Sequence, residues 1–272
     1  MILINGKTDD RINIADRGLQ YGDGVFETLA YRNGDIELLE AHLSRLVLGC
    51  ERLKISFSDL ALLRAELNQL GESLTSDTVI KIIVTRGRGG RGYFADSNSQ
   101  ATRIISTHPY PQYPEAYKLG VTVRLCHHRL ADNPTLAGIK HLNRLDQVLA
   151  RNEWDSTEIA EGLMFDQTDN LIEGTMTNLF IVKSEQLITP SLTQSGVKGV
   201  MRDNLIQLAE KNGLTVQELK IQKRDLVDAD EVLVCNSING IWPVVSIVEI
   251  DKRYAYGPVT QQLQHWLEDS NK

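Results

Sequence analysis

The sequence predicts a mixed α+β fold in two domains, and three observations carry that reading. Its 272 residues are long for one core and suit two modest ones. Strand-like and helix-like stretches are interspersed without a regular alternation, which argues against a doubly wound parallel sheet. Pro109, Pro111 and Pro114 fall close together and stiffen the backbone while removing donors, as a linker does. The expected domains are therefore 1–110 and 120–272, joined by 111–119.

Composition narrows the function. Hydrophobic residues make up 42% and charged residues 24%, which supports a packed core and no disorder. A formal net charge of −7 argues against a polyanionic partner, so nucleic acid is not expected. Cys50, Cys126 and Cys235 lie far apart in apolar or helical sequence; they read as reduced and buried, with no metal-type pair. The apolar run at the N-terminus is too short for a signal peptide and no later run approaches membrane-spanning length, so the expected location is the cytoplasm.

Taken in order, residues 1–4 read as a strand entering the turn Asn5-Gly6. Strands at 25–31 and 36–39 flank Asn33-Gly34 in the same way, because Asn-Gly readily takes the positive φ of hairpin turns. Residues 40–54 read as an amphipathic helix through Leu43, Leu46, Val47, Cys50 and Leu53. A second helix follows at 57–74, then a buried strand at 78–85 rich in valine and isoleucine, and another at 103–107. In the second half, 121–126 reads as a strand and 142–154 as a helix through Leu145, Val148 and Leu149. Further strands are expected at 162–165, 171–173, 179–182, 186–188, 232–235 and 244–250. Helices are expected at 199–212, ended by Gly213, and at 259–267.

Four stretches carry chemistry. In Tyr21-Gly22-Asp23-Gly24-Val25-Phe26-Glu27-Thr28 the glycines permit close backbone approach, either for a tight loop or for a loop against a ligand. Arg86-Gly87-Arg88-Gly89-Gly90-Arg91-Gly92-Tyr93 is a cationic, flexible loop without the Lys-Ser/Thr pair that closes a nucleotide loop. Lys140 stands just before a helix with no acidic residue in the four positions before it. It is either a solvated side chain or an amine whose desolvation favours the nucleophilic form that Schiff-base chemistry needs. Glu173 lies at the end of an expected strand, in Glu173-Gly174-Thr175-Met176-Thr177-Asn178-Leu179-Phe180.

The segment Gly138-Ile139-Lys140-His141-Leu142-Asn143-Arg144-Leu145-Asp146-Gln147-Val148 resembles the cofactor-lysine segment of aminodeoxychorismate lyases. These belong to the fold-type IV pyridoxal-phosphate group that also holds branched-chain and D-amino-acid transaminases. The resemblance extends along most of the chain. It implies a small N-terminal α/β domain, a larger C-terminal pseudo-barrel domain, and a homodimer. It also implies roles: Lys140 as the cofactor amine, Glu173 as the carboxylate on the ring nitrogen, and Asn178 in the cofactor-contact string. His42-Leu43-Ser44-Arg45-Leu46 matches the family's phosphate arginine at Arg45, whose planar fork suits phosphate oxygens. Gly199-Val200-Met201-Arg202 matches the phosphate segment at a helix start, where the N–H groups of Val200 and Met201 face an anion. Asn236 and Ser237 match a pair that closes the phosphate cup.

The implied reaction converts 4-amino-4-deoxychorismate to 4-aminobenzoate and pyruvate. Thr28 is the candidate donor to the leaving oxygen, although threonine also suits a strand. Arg86, Arg88 and Arg91 could counter the two substrate carboxylates, without a basis for choosing among them, and Tyr21 and Tyr93 shape the pocket. The rivals are a D- or branched-chain amino-acid transaminase of the same fold and a cofactor-free binding protein.

Overall fold

The structure is a computed structural model that describes residues 1–96 and 99–270. By contacts the chain divides into two units, Met1–Pro111 with Ile139–Asn143, and Gln112–Gly138 with Arg144–Lys272.

The first unit comprises β1 (Ile2–Ile4), β2 (Lys7–Thr8), α1 (Arg17–Tyr21), β3 (Gly24–Arg32), β4 (Asp35–Ile36), α2 (Leu39–Arg52), α3 (Leu60–Ser73), β5 (Thr78–Thr85) and β6 (Thr102–Pro109). Its six strands form an antiparallel sheet in the order β2-β1-β6-β5-β3-β4. Both Asn-Gly turns form as expected, with Asn5, Gly6, Asn33 and Gly34 all at positive φ. Strand alternation sends Val25, Leu29, Tyr31, Ile80, Ile82, Val84 and Ile105 into one core with Leu43 and Leu46 of α2 and Leu63 and Leu67 of α3. A one-residue slip would turn these strand side chains outward at roughly 1.5–3 kcal/mol each, so the register is firmly set.

The second unit contains β7 (Val121–Leu130), α4 (Leu145–Arg151), β8 (Ile159–Asp166), β9 (Asn170–Gly174), β10 (Asn178–Lys183), β11 (Gln186–Pro190), α5 (Val200–Lys211), β12 (Val216–Leu219), β13 (Ile221–Gln222), α6 (Lys223–Asp228), β14 (Glu231–Asn236), β15 (Gly240–Ile247), β16 (Ile250–Arg253) and α7 (Pro258–Ser270). Nine of these strands run in the order β12-β11-β10-β14-β15-β7-β8-β9-β13, with β16 paired to β15. β9 also returns alongside β10 and β11, so the sheet nearly closes on a core of Val123, Leu163, Leu179, Val234, Trp242 and Val244.

Four local expectations need correction. The helix expected over 142–154 spans only Leu145–Arg151. The residues before it bridge to β3 instead: Phe26 N–H donates to the Lys140 carbonyl at 2.9 Å and Leu142 N–H to the Gly24 carbonyl at 3.0 Å. That pairing also groups Ile139–Asn143 with the first unit, where the sequence reading had put them in the second domain. The strand expected at 244–250 is two strands, because Val248 and Glu249 turn the chain between β15 and β16. The glycine-rich stretch also contains a short helix, α1, capped by the Asp16 carboxylate on Gly18 N–H and ended by Gly22 at φ 64°.

Candidate active site

Within the first unit the lysine segment lies beside the start of β3 as a short antiparallel bridge between Val25 and His141. Ile139 is fully buried and Gly49 of α2 leaves room near it, since a Cβ there would strike Val25 at 2.8 Å. Lys140 is half-buried, and its Nζ sits 4.3 Å from the centroid of the Phe26 ring. Strand pleating places Phe26 and Thr28 on one face of β3 and Glu27 on the other. The Thr28 hydroxyl thus shares its sheet face with the ring under the Lys140 amine.

Glu27 points into the core, fully buried, and the sequence reading assigned it no role. Arg45 donates to it through Nε at 2.8 Å and Nη2 at 2.5 Å, and His42 through Nδ1 at 2.7 Å. Burial alone would raise the Glu27 carboxyl; the charge and hydrogen bonds of Arg45, with those of His42, outweigh it and hold the group at about 2. Burial lowers His42 below its ordinary value against the pull of Glu27, so a neutral ring donating from Nδ1 fits the pair. Arg45 is therefore a braced side chain. One signal was legible: Glu27 falls on the core-facing parity of a strand, where a charge must find a partner.

The arginine loop is held from α1. Arg17 is buried, pairs with Asp23 at 2.9 Å, and donates to the carbonyls of Gly92 and Tyr93 at 2.9 and 3.0 Å. The Tyr21 and Tyr93 rings meet edge-on at 5.7 Å. Arg86, expected as a counter-charge for substrate, is engaged on all sides: it forks Asp23 and donates to the Leu53 and Lys54 carbonyls at the end of α2. Arg88 and Arg91 remain exposed, with no ion pair among the described residues.

In the second unit, residues 196–199 are the hub. Gly138 N–H donates to the Gly196 carbonyl at 2.9 Å and Lys198 N–H returns to Gly138 at 3.0 Å. Val197 N–H donates to Glu173 Oε2 at 2.7 Å, while its carbonyl accepts from Asn178 Nδ2 at 2.8 Å. Asn178 thus braces the loop, packed so closely that a Cβ on Gly199 would lie 1.9 Å from its Oδ1. Glu173 is buried, and its Oε1 accepts from Gln147 Nε2 at 3.1 Å. Neither Gln147 nor the buried Glu161 carried a signal in the sequence. Glu161 accepts from the N–H groups of Gly162, Thr175 and Met176 and from the hydroxyls of Thr175 and Thr177, holding the turn after Glu173.

Val200 and Met201 open α5 and are buried, and Gly199 gives that helix end no side-chain cap. Its first N–H groups and macrodipole form a setting that suits an anion. Ser237 is half-buried just past β14. Asn236 is engaged in its own turn, accepting from Ile238 and Asn239 N–H and donating to the Met176 carbonyl. Each unit thus holds residue types that pyridoxal phosphate chemistry uses: the first an amine beside an aromatic face, the second a buried carboxylate with neutral donors and an uncapped helix start.

Comparison with known proteins agrees with that chemistry. Residues 24–247 match the amino-transferase class IV family. The chain is 38% identical to an aminodeoxychorismate lyase of Vibrio harveyi, over 97% of this chain and 98% of that one. It is 30% identical to a D-alanine aminotransferase of Bacillus licheniformis, over 99% and 96%. The crystal structure of 4-amino-4-deoxychorismate lyase from Pseudomonas aeruginosa superposes with a TM-score of 0.94 at 45% identity, covering 99% and 98%. The chain belongs to the class IV aminotransferases, a fold-type IV family of pyridoxal-phosphate enzymes.

Proposed function

We propose that this chain is a lyase that converts 4-amino-4-deoxychorismate to 4-aminobenzoate and pyruvate, a step towards folate, and that it acts as a cytoplasmic homodimer. The observation that carries the reading is the 45% identity across 99% of the chain to a lyase of that name, joined to a lysine and a hydroxyl on one sheet face. Pyridoxal phosphate is the cofactor. Lys140 would hold it, Glu173 would face its ring nitrogen, and Arg45, the first N–H groups of α5 and Ser237 would hold its phosphate.

When bound, the cofactor supplies a sink for the electrons left on the substrate carbon. With the substrate bound, the Lys140 amine would take the proton from C4. The C3–O bond breaks, the ring becomes aromatic, and the enolpyruvate that leaves takes up a proton to become pyruvate. Thr28 donates to the departing oxygen. With Arg86 engaged elsewhere, Arg88 and Arg91 are the arginines that remain to counter the two carboxylates.

Purified protein given aminodeoxychorismate without any keto acid should release pyruvate and 4-aminobenzoate in equal amounts. Lys140→Ala should abolish both, together with the visible cofactor band. Stoichiometric conversion of the cofactor to its amine form by D-alanine or a branched-chain amino acid, with no pyruvate from aminodeoxychorismate, would favour the transaminase reading. A protein that never takes up pyridoxal phosphate would refute both.

A further inference from the structure

We propose that Gln147 is a positioning residue that holds the Glu173 carboxylate correctly turned for the cofactor's ring nitrogen; the inference rests on the role of Glu173 given above. Each carboxylate oxygen has a dedicated donor, Gln147 Nε2 on Oε1 at 3.1 Å and Val197 N–H on Oε2 at 2.7 Å. Two donors from different segments fix the plane of the group as well as its place. Because Glu173 is only 4% exposed, water supplies little of the stabilisation its charge needs, and these donors contribute to that task beside the nearby Arg144 guanidinium.

The residue type matters. An amide donates a hydrogen bond without adding a second positive charge beside Glu173, which already interacts with the Arg144 guanidinium. A cation at 147 would satisfy the carboxylate itself and weaken its attraction for a protonated heterocycle, and a carboxylate would repel it. The nearby charged groups are Arg144, whose guanidinium is lowered by burial and raised by Glu173 and Asp146, and Asp146, which bonds His128. Gln147 reaches Glu173 because α4 turns its other faces away: Ala150 packs with Cys126, Trp154 and Ile172, while Leu145, Val148 and Leu149 face outward.

The test uses holoenzyme and three variants. Gln147→Met keeps the length of the side chain and removes the donor. It should weaken cofactor binding about tenfold or more, as loss of a hydrogen bond to a charged group does, and lower kcat with little change in KM. Gln147→Glu should match it at pH 8. As pH falls and the new carboxyl gains an O–H, its cofactor affinity relative to wild type should recover, a response a purely structural role would not produce. Gln147→Leu repeats the first measurement if the methionine variant fails to fold. Cofactor affinity within twofold of wild type in the folded donor-less variant, or no recovery of Gln147→Glu on acidification, overturns the proposal. Glu173→Gln separates the two claims: if it leaves cofactor affinity and the visible band unchanged, the role of Glu173 fails first.

Discussion

Burying a carboxylate at Glu27 without partners would cost several kcal/mol, so its stability contribution depends on Arg45 and His42. Its folded value of about 2 lies below the ordinary 4.5, so the unfolded chain binds the proton more readily between those values. The stabilisation is fully present above pH 4.5 and is lost as pH falls through the folded value. That shift corresponds to about 3 kcal/mol. His42, lowered by burial, loses stability in the same direction, beginning as pH drops below its ordinary 6.5. Glu27→Gln should lower the unfolding free energy by about 3 kcal/mol at pH 7 and flatten its decline between pH 4.5 and 2. Urea titrations across that range check both statements. Cofactor affinity should also fall, because Arg45 loses its brace; an unchanged affinity would remove Arg45 from the phosphate site.

Between elements, Glu161 has the widest reach. From β8 it collects five donors around the turn at 174–177 and so fixes where β9 ends, one residue past Glu173. Removing it in Glu161→Ala leaves three N–H groups and two hydroxyls without their acceptor, and should cost about 3–5 kcal/mol. Chemical denaturation gives the energy, and faster amide exchange at Thr175 and Met176 would locate it. A loss below 1 kcal/mol would mean the turn holds itself. Arg202 does comparable work from α5: it is wholly buried and bonds Thr189 and the Pro190 carbonyl of β11 and Glu218 of β12. Arg202 thus anchors the helix whose first N–H groups are the proposed phosphate donors.

At the scale of the whole molecule, α4 places Leu145, Val148 and Leu149 outward, with Leu145 74% exposed. Apolar residues spaced at helical intervals on an open face are what a protein interface presents, and they support the proposed homodimer. Sedimentation should give about twice the chain mass of 30.5 kDa, and Leu149→Asp should shift the protein towards the single-chain mass. A wild-type protein that sediments as one chain at micromolar concentration would end the dimer reading. Among the described residues no helix is long and apolar enough to cross a membrane. The three cysteines are free and buried, and burial pushes each thiol up to about 12, so no thiolate chemistry competes with the lysine.

Much was legible from the chain alone. Period-two alternation over 78–85 and both Asn-Gly turns determined strands and hairpins, because pleat and positive φ are properties of a few neighbouring residues. The residue types demanded by the cofactor could be named, along with the family. Tertiary structure alone decided that the helix expected from Leu142 begins only at Leu145 while Lys140 and Leu142 bond the backbone at the start of β3, that Arg86 closes the end of α2, and that Gln147 meets Glu173. Periodicity reports which face of an element is apolar. Which polar side chains meet across 26 or 63 residues of chain depends on how the elements pack, and packing overrode helix periodicity at Leu142 by offering its backbone N–H the Gly24 carbonyl.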